Sequence, residues 1–394
     1  MDALVPIDDH PGLRALIVAG GSNPLNPVSQ QPPALASPMK VLVPKLPLAS
    51  ALLPYLARID ASRIYSNYGP LCREFSAGLA ELTAAPGVTL TCNGTTAIEL
   101  ALRAIGISPG EFCLMPAFTF IASAHAVCNA GLVPFLVEVD PDTLMLTPAI
   151  AEAALQVLAK PPAAILVVSA FGAPPDFAAW AAFETRHGIP VVFDAAAAVT
   201  SLSGHIGAQP VCVSLHATKV LGIGEGGAIL SSDLAFIERT TALTGFGFLG
   251  TERVSALRGG NYRVSEYAAA VGLASLAALP TRLAELRALI GAYRKRLVNK
   301  AAVLQPGAGE AWVTMTLNVI LPADEVAPTL ARLAAAEIEW RRWWGLGCHR
   351  HPAFANLPRA DLSATDALAP RVIGLPFHDG LAQPDLDRVL ACLP

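Results

Sequence analysis

Residues 211–230 read V-C-V-S-L-H-A-T-K-V-L-G-I-G-E-G-G-A-I-L. The apolar, β-prone run from Val211 to Val213 ends in small and polar residues, Ser214, His216 and Thr218. A single lysine, Lys219, follows, then four glycines between Gly222 and Gly227, and the chain returns to an apolar run at Ala228 to Leu230. Strand, lysine on a turn, glycine-rich bend and strand is how a chain presents one amine to a cleft. An amine with few charged neighbours in sequence can be partly desolvated, which lowers its pKa and frees a nucleophile. A surface lysine beside a hairpin would read the same way, so the rest of the chain has to decide.

The chain around this stretch has 394 residues, enough for two domains with a large core. Hydrophobic residues make up 53% and charged residues 15%, so much apolar surface must be buried internally or against another subunit. Net charge is −4 with scattered basic residues, which argues against a nucleic-acid partner. Gly, Pro and charges break each apolar run before about 18 residues, so no membrane span is expected. The N-terminus lacks the basic head, apolar block and cleavage site of a secretion signal. Seven cysteines without a C-x-x-C pair read as reduced, buried thiols of a cytoplasmic protein.

Residues 1–44 carry much Pro, Gly, Ser and Asn and read as an arm or poorly ordered extension. From Ser50 to Leu82 the pattern is helical, broken at Gly69-Pro70, with an amphipathic helix from Cys72. At Val88 a β-type run, V-T-L-T-C, meets Asn93-Gly94-Thr95-Thr96 and then an apolar helix. Small residues and hydroxyls at a helix start leave N–H groups for an anion, and suit a phosphate. An ordinary cap supplied by Thr95 or Thr96 fits the same residues. Alternating strands and helices follow to Phe193, which predicts a mostly parallel sheet with helices on both faces. Functional groups then belong at the carboxyl ends of the strands, where Asp194 stands, either as a site carboxylate or as a cap.

Beyond Leu230 the pattern gives a helix from Asp233 to Thr244, a glycine-rich loop, a helix from Ser265 to Leu279 and a long charged-apolar stretch from Arg282 to Ala302. Strands are expected at Trp312–Leu321 and Ile338–Trp344, with helices at Asp324–Ala335 and Pro384–Leu393. The division reads as a large α/β domain over 45–285 and a smaller C-terminal α+β domain over 286–394.

Gly222-x-Gly224-x-x-Gly227 matches a dinucleotide fingerprint, but a strand and not a helix follows it, so it is set aside. His349-Arg350-His351 lacks the companions of a metal site, and no metal is expected. What remains is a helix start fit for phosphate, an aromatic at Phe120, the carboxylate of Asp194, and Ser214 with Lys219. Pyridoxal phosphate needs these parts: an amine, a carboxylate facing its ring nitrogen, a ring to stack on and donors for its phosphate.

The motifs N-Y-G-P-L-C-R-E-F (67–75), N-G-T-T-A-I-E-L-A-L (93–102), P-A-F-T-F-I-A-S (116–123), S-L-H-A-T-K (214–219) with G-E-G-G (224–227), G-N-Y-R (260–263) and W-G-L-G-C-H-R-H-P-A-F (344–354) together resemble the DegT/DnrJ/EryC1/StrS aminotransferases. The resemblance covers roughly residues 60–394 and implies fold-type-I pyridoxal phosphate enzymes acting mostly on nucleotide-linked keto sugars. It implies Lys219 as cofactor anchor and general acid/base, Asp194 as partner of the pyridine nitrogen and Phe120 as the stacking ring. Thr95, Thr96 and Ser214 resemble the phosphate donors of one subunit. Asn261 resembles the asparagine that reaches the phosphate from the neighbouring subunit of a homodimer. His349 and Arg263 fall where family members bind substrate. The implied reaction takes an amino group from an amino acid, glutamate, to the keto sugar. One position departs: Ala197 stands where the family reads Gln or His, and its side chain can neither donate nor accept. Two other readings share the fold, a catalytically silent pyridoxal phosphate-binding regulatory or partner-binding homologue and an aminotransferase of a non-sugar carbonyl.

Overall fold

Continuous apolar runs such as Ala164–Val168, buried at every residue, cannot face water on either side and become interior strands. The structure, a computed structural model, describes residues 38–250 and 253–394. β1 (Gly87–Thr91), β2 (Phe112–Pro116), β3 (Val133–Val137), β4 (Ala164–Val168), β5 (Val191–Asp194), β6 (Val211–Ser214) and β7 (Gly227–Ser231) form a seven-stranded sheet in the order β1-β7-β6-β5-β4-β2-β3. Strands β2 to β6 pair in parallel, and β7 runs antiparallel to both β1 and β6. The expected mostly parallel sheet is what forms.

Helices α1 (Ala49–Ser62), α2 (Pro70–Thr83), α3 (Gly94–Ala104), α4 (Ala122–Asn129), α5 (Pro148–Val157), α6 (Phe177–His187), α7 (Leu234–Thr244) and α8 (Glu266–Leu297) surround it. Several begin where a short polar side chain accepts a backbone N–H of the first turn: Asn93, Thr147, Asp176, Asp233 and Ser265. Alternate strand residues feed two cores. Ile165, Val167, Phe193 and Val213 pack with Phe75, Trp180 and Phe183. Met115, Leu166, Val192 and Cys212 pack with Ile98, Ala101 and Val127.

The C-terminal part holds a three-stranded antiparallel sheet, β8 (Val303–Leu304), β9 (Leu317–Ile320) and β10 (Val372–Leu375), ordered β10-β9-β8. It packs on the second half of α8 with α9 (Val326–Ala335) and α11 (Gln383–Ala391), while α10 (Ser363–Leu368) lies before β10. Two strand expectations are corrected. The run 312–321 shortens to β9, and 338–344 is no strand: Ile338 and Arg341 make only isolated bridges, to Met39 and Gly374. Positive φ at Gly345 and Gly347 turns the chain away, and β10, buried throughout, pairs with β9 instead.

Helix α8 also runs unbroken through Pro280, because Leu279, Leu286, Ile290 and Tyr293 are buried on both sides of it. It is long and apolar enough by length and composition to cross a membrane, and buries Ala269, Ala270 and Leu273 in the core beneath the sheet. Residues 1–37 of the expected arm lie outside the described residues. Residues 38–44 are no loose extension: Met39 bridges Ile338, Val41 is 2% exposed, and Phe377 N–H donates to Val41 O at 2.9 Å. All seven cysteines are free, and Cys128, against expectation, is exposed.

Candidate active site

The carboxyl ends of β5 and β6 are neighbours in the sheet, with Asp194 opposite Cys212 in register. Asp194 closes β5 and Ser214 closes β6. The chain then turns: Lys219 N–H donates to His216 O at 2.8 Å, Ala217 N–H to Gly224 O at 2.7 Å, and Leu215 N–H to Gly226 O at 2.8 Å. The glycine bend thereby folds back onto β6 and fixes Lys219 at the strand end. Burial pushes the Lys219 amine down to about 8, and the Asp194 carboxylate opposes that shift. Asp194 is 5% exposed, and burial raises its carboxyl above the usual range. Ser123 Oγ donates to its Oδ2 at 2.7 Å and Ala196 N–H to its Oδ1 at 3.1 Å. These two bonds and the Lys219 charge favour the ionised form.

Asn93 Oδ1 accepts Thr96 N–H at 2.8 Å at the start of α3, which leaves the N–H groups of Gly94 and Thr95 without a partner inside the helix. Two glycines let this helix start sit against the lysine loop. A Cβ on Gly227 would lie 2.6 Å from the Asn93 carbonyl, and one on Gly94 would lie 2.7 Å from Ser214 Cβ. In the glycine pattern set aside as a dinucleotide signal, Gly222 and Gly227 therefore serve close backbone packing, while Gly224 has φ +92° in open space.

These groups open onto one cavity of about 330 Å³, lined among others by Asn93, Gly94, Thr95, Phe120, Asp194, Ser214 and Lys219. Phe120 is 54% exposed at its edge. Of the residues picked from sequence, the structure brings Lys219, Asp194, Thr95, Phe120 and Ser214 together here. Thr96 is buried just behind, with Cys92 Sγ 3.5 Å from its Oγ1. Asn261 is exposed outside this cavity, its Oδ1 accepting from Arg263 Nη2 at 2.8 Å. Arg263 lines a different cavity, of about 340 Å³, with Tyr68, Phe248 and Leu249. His349 is buried, its Nε2 2.8 Å from Asp366 Oδ1, and is not in the lining. Among the described residues, no cluster of His, Cys, Asp or Glu could hold a metal ion.

Sequence reasoning missed Ser123, His216, Glu225, Phe171, Met315, Thr316, Trp343, Trp344 and Leu42. His216 Nε2 lies 3.6 Å from Glu225 Oε1, and its Nδ1 lies 2.8 Å from Thr218 Oγ1. Ser123, one turn from Thr119 on a small-residue segment, left a faint signal. His216 and Glu225 stand in the stretch around Lys219, and Trp344 opens the motif at 344–354, but none of these was given a role. Phe171, Met315, Thr316, Trp343 and Leu42 come from distant segments and left none. Ala197 lines the cavity too, so the departure noted in sequence falls inside the site.

Residues 48–394 match the DegT/DnrJ/EryC1/StrS aminotransferase family. Protein Rv3402c of Mycobacterium tuberculosis is 31% identical over 364 residues, covering 89% of this chain and 88% of its own. GDP-perosamine synthase of Caulobacter vibrioides is 33% identical over 343 residues, covering 83% and 90%. Among solved structures, DesI in the presence of its TDP-sugar product superposes with a TM-score of 0.81 at 29% identity, covering 92% of this chain and 93% of that one.

Proposed function

The chain belongs to the DegT/DnrJ/EryC1/StrS aminotransferase family, and on that premise we propose that it transfers an amino group from an amino acid, glutamate, to the keto carbon of a nucleotide-linked sugar, with pyridoxal phosphate as cofactor. The names of the similar synthase and of the TDP-sugar complex support a nucleotide-sugar substrate. The residues present fit the cofactor. One cavity holds an amine of lowered pKa, a buried carboxylate, an aromatic ring and a helix start with N–H groups to spare. The observation that carries the reading is Lys219 and Asp194 in that one cavity.

When bound, the cofactor supplies an electron sink for the carbon that loses its proton. The chain's own groups would divide the remaining work. Asp194 would hold a proton on the ring nitrogen, its two oxygens oriented by Ser123 and the Ala196 N–H. Gly94, Thr95 and Ser214 take the phosphate, with Thr96 shaping the helix start behind them. Phe120 would cover the ring. Lys219 Nζ would hold the aldehyde and would accept and return the proton at the substrate carbon; an amine lowered to about 8 could do both near neutral pH.

We also propose a homodimer in which Asn261 reaches the partner's phosphate site, with Arg263 and His349 on the substrate side. The seven-stranded and three-stranded parts are proposed as domains parting along α8 near residue 285. The free thiols support a cytoplasmic setting.

The test combines chemistry and labelling. Borohydride reduction of protein loaded with pyridoxal phosphate should add its mass at Lys219, and Lys219→Ala should abolish turnover of a GDP- or TDP-linked keto sugar with glutamate. A label elsewhere, or turnover by that variant, overturns the assignment. A labelled protein that does not pass glutamate's amino group on is a binding homologue and not an enzyme.

A further inference from the structure

Part of the cavity lining takes no role above: Phe171, Met315, Trp343 and Trp344. Phe171 and Trp344 stack with centroids 4.0 Å apart and planes at 23°, and Phe118 meets Trp344 edge-on at 5.2 Å. Phe118 and Phe171 are almost fully buried, while Trp344 is half-buried, so two rings hold a third in place at the cavity. The backbone is bent to allow it. Phe171 has φ 54° and ψ 17°, a left-handed conformation that bulky side chains rarely adopt and that persists only where the surroundings impose it. Here Thr314 Oγ1 donates to Phe171 O at 2.8 Å, Gln305 Nε2 to Ala170 O at 3.2 Å, and Ser169 Oγ to Ala173 O at 2.5 Å. Thr314 precedes Met315 and Thr316, which line the same cavity.

The chemistry of this surface selects its occupant. An aromatic face carries negative charge density and suits C–H bonds, as on the apolar face of a sugar ring. A diphosphate would find little cationic charge there, since among the described residues Lys219 is the only lysine or arginine in the lining. A nucleobase would bring several polar edge groups, and near these rings the lining offers only Thr316, the Trp343 indole N–H, and Ser169, whose Oγ already donates to Ala173 O; unpaired buried polar groups are costly. We propose that Trp344, backed by Phe171 and held by Thr314, is the platform for the apolar face of the sugar ring and sets specificity in the sugar half of the reaction. This rests on the nucleotide-sugar reading. Thr314 is a positioning residue: it acts through Phe171.

Steady-state kinetics with a GDP- or TDP-linked keto sugar and glutamate, varied separately, test the platform. Trp344→Ala should raise KM for the sugar about tenfold or more, and Trp344→Phe should recover most of it. Thr314→Val should raise the sugar KM several-fold and Thr314→Ser should restore it, with KM for glutamate changing less than about twofold throughout. If Trp344→Ala does not fold, Trp344→Phe and the Thr314 pair carry the same comparison. Equal rises in both KM values overturn the platform. So does calorimetry in which Trp344 variants weaken GDP or TDP alone as much as the nucleotide sugar, because the base or diphosphate then sits there. If the unmodified enzyme aminates no nucleotide keto sugar, the substrate reading itself fails and takes the platform with it.

Discussion

An amine that titrates near 8 separates itself from every exposed lysine by its reactivity at neutral pH, and Lys219 is such an amine. The neutral form attacks, so its labelling by trinitrobenzenesulfonate in cofactor-free protein should climb about tenfold per pH unit below pH 8 and level off above it. Ordinary lysines should keep climbing toward about 10.4. Peptide mapping of the labelled sites checks this; a Lys219 profile that follows the others removes the buried-amine reading. The same shift has a stability sign. The folded pKa lies below the unfolded one, so between about pH 8 and 10.5 the unfolded chain binds more protons and stability rises with pH. Lys219→Met should therefore stabilise cofactor-free protein at pH 7 and flatten that rise, as urea titrations at several pH values would report. Lys219, Asp194, Ser214 and Thr95 were legible in the sequence because each follows an apolar run at a strand end, where an α/β sheet collects its functional groups. Trp344 and Phe171 were not: they are 173 residues apart, and nothing local marks rings that meet only after the C-terminal part folds back.

The start of α2 shows why element boundaries were less readable. Its N-cap is Gly69, which has no side chain to offer, and the pattern alone put the helix start near Cys72. The missing acceptor comes from the first residue of α8: Glu266 Oε2 accepts Leu71 N–H at 2.8 Å and Oε1 accepts Cys72 N–H at 2.9 Å. In sequence Glu266 looks like a first-turn acid on its own helix. It is 1% exposed, and a Cβ on Gly69 would stand 2.5 Å from its Cδ, so the glycine is there to let the carboxylate in. Glu266→Gln turns an N–H donor toward a backbone donor and should cost about 1–3 kcal/mol. Gly69→Ala should destabilise by displacing the same carboxylate. Chemical denaturation of both variants checks this, and a loss under about 0.5 kcal/mol in each would show that α2 does not depend on the cap. Glu138 plays a similar part for α10, accepting the N–H groups of Ala364 and Thr365 at 2.7 Å each. Such caps are fixed by tertiary structure, whereas the local caps Asp176 and Asp233 mark helices that could be read directly. At α3 the cap is Asn93, not Thr95 or Thr96 as the sequence suggested, because its side chain stands before the first turn and accepts Thr96 N–H.

For the whole molecule, composition left much apolar surface to be buried internally or against another subunit, and the described surface shows where some of it stays exposed. Ile64, Tyr65, Phe246, Phe248, Leu249, Val254 and Tyr267 are exposed. The segments that carry them are tied together: Tyr65 and Tyr267 stack at 6.3 Å, Glu266 N–H donates to Tyr65 O at 3.0 Å, and Phe246 N–H donates to Gly260 O at 2.9 Å. Scattered apolar residues need no partner, but a cluster on connected segments marks an interaction surface. Asn261 and Arg263 lie within it, outside the chain's own cavity, where a second copy could receive them. The unmodified protein should therefore sediment as a dimer of the 40.9 kDa chain. Phe248→Asp with Tyr267→Asp should shift it toward monomer by placing carboxylates in the contact. If the cavity is completed across the contact, the monomer should keep its circular dichroism yet bind pyridoxal phosphate about tenfold or more weakly, through loss of the Asn261 contribution. Asn261→Ala should weaken the cofactor comparably while leaving the dimer intact, which separates assembly from site completion. A native monomer of full activity would mean that this apolar surface serves some other contact and that the cavity of one chain suffices.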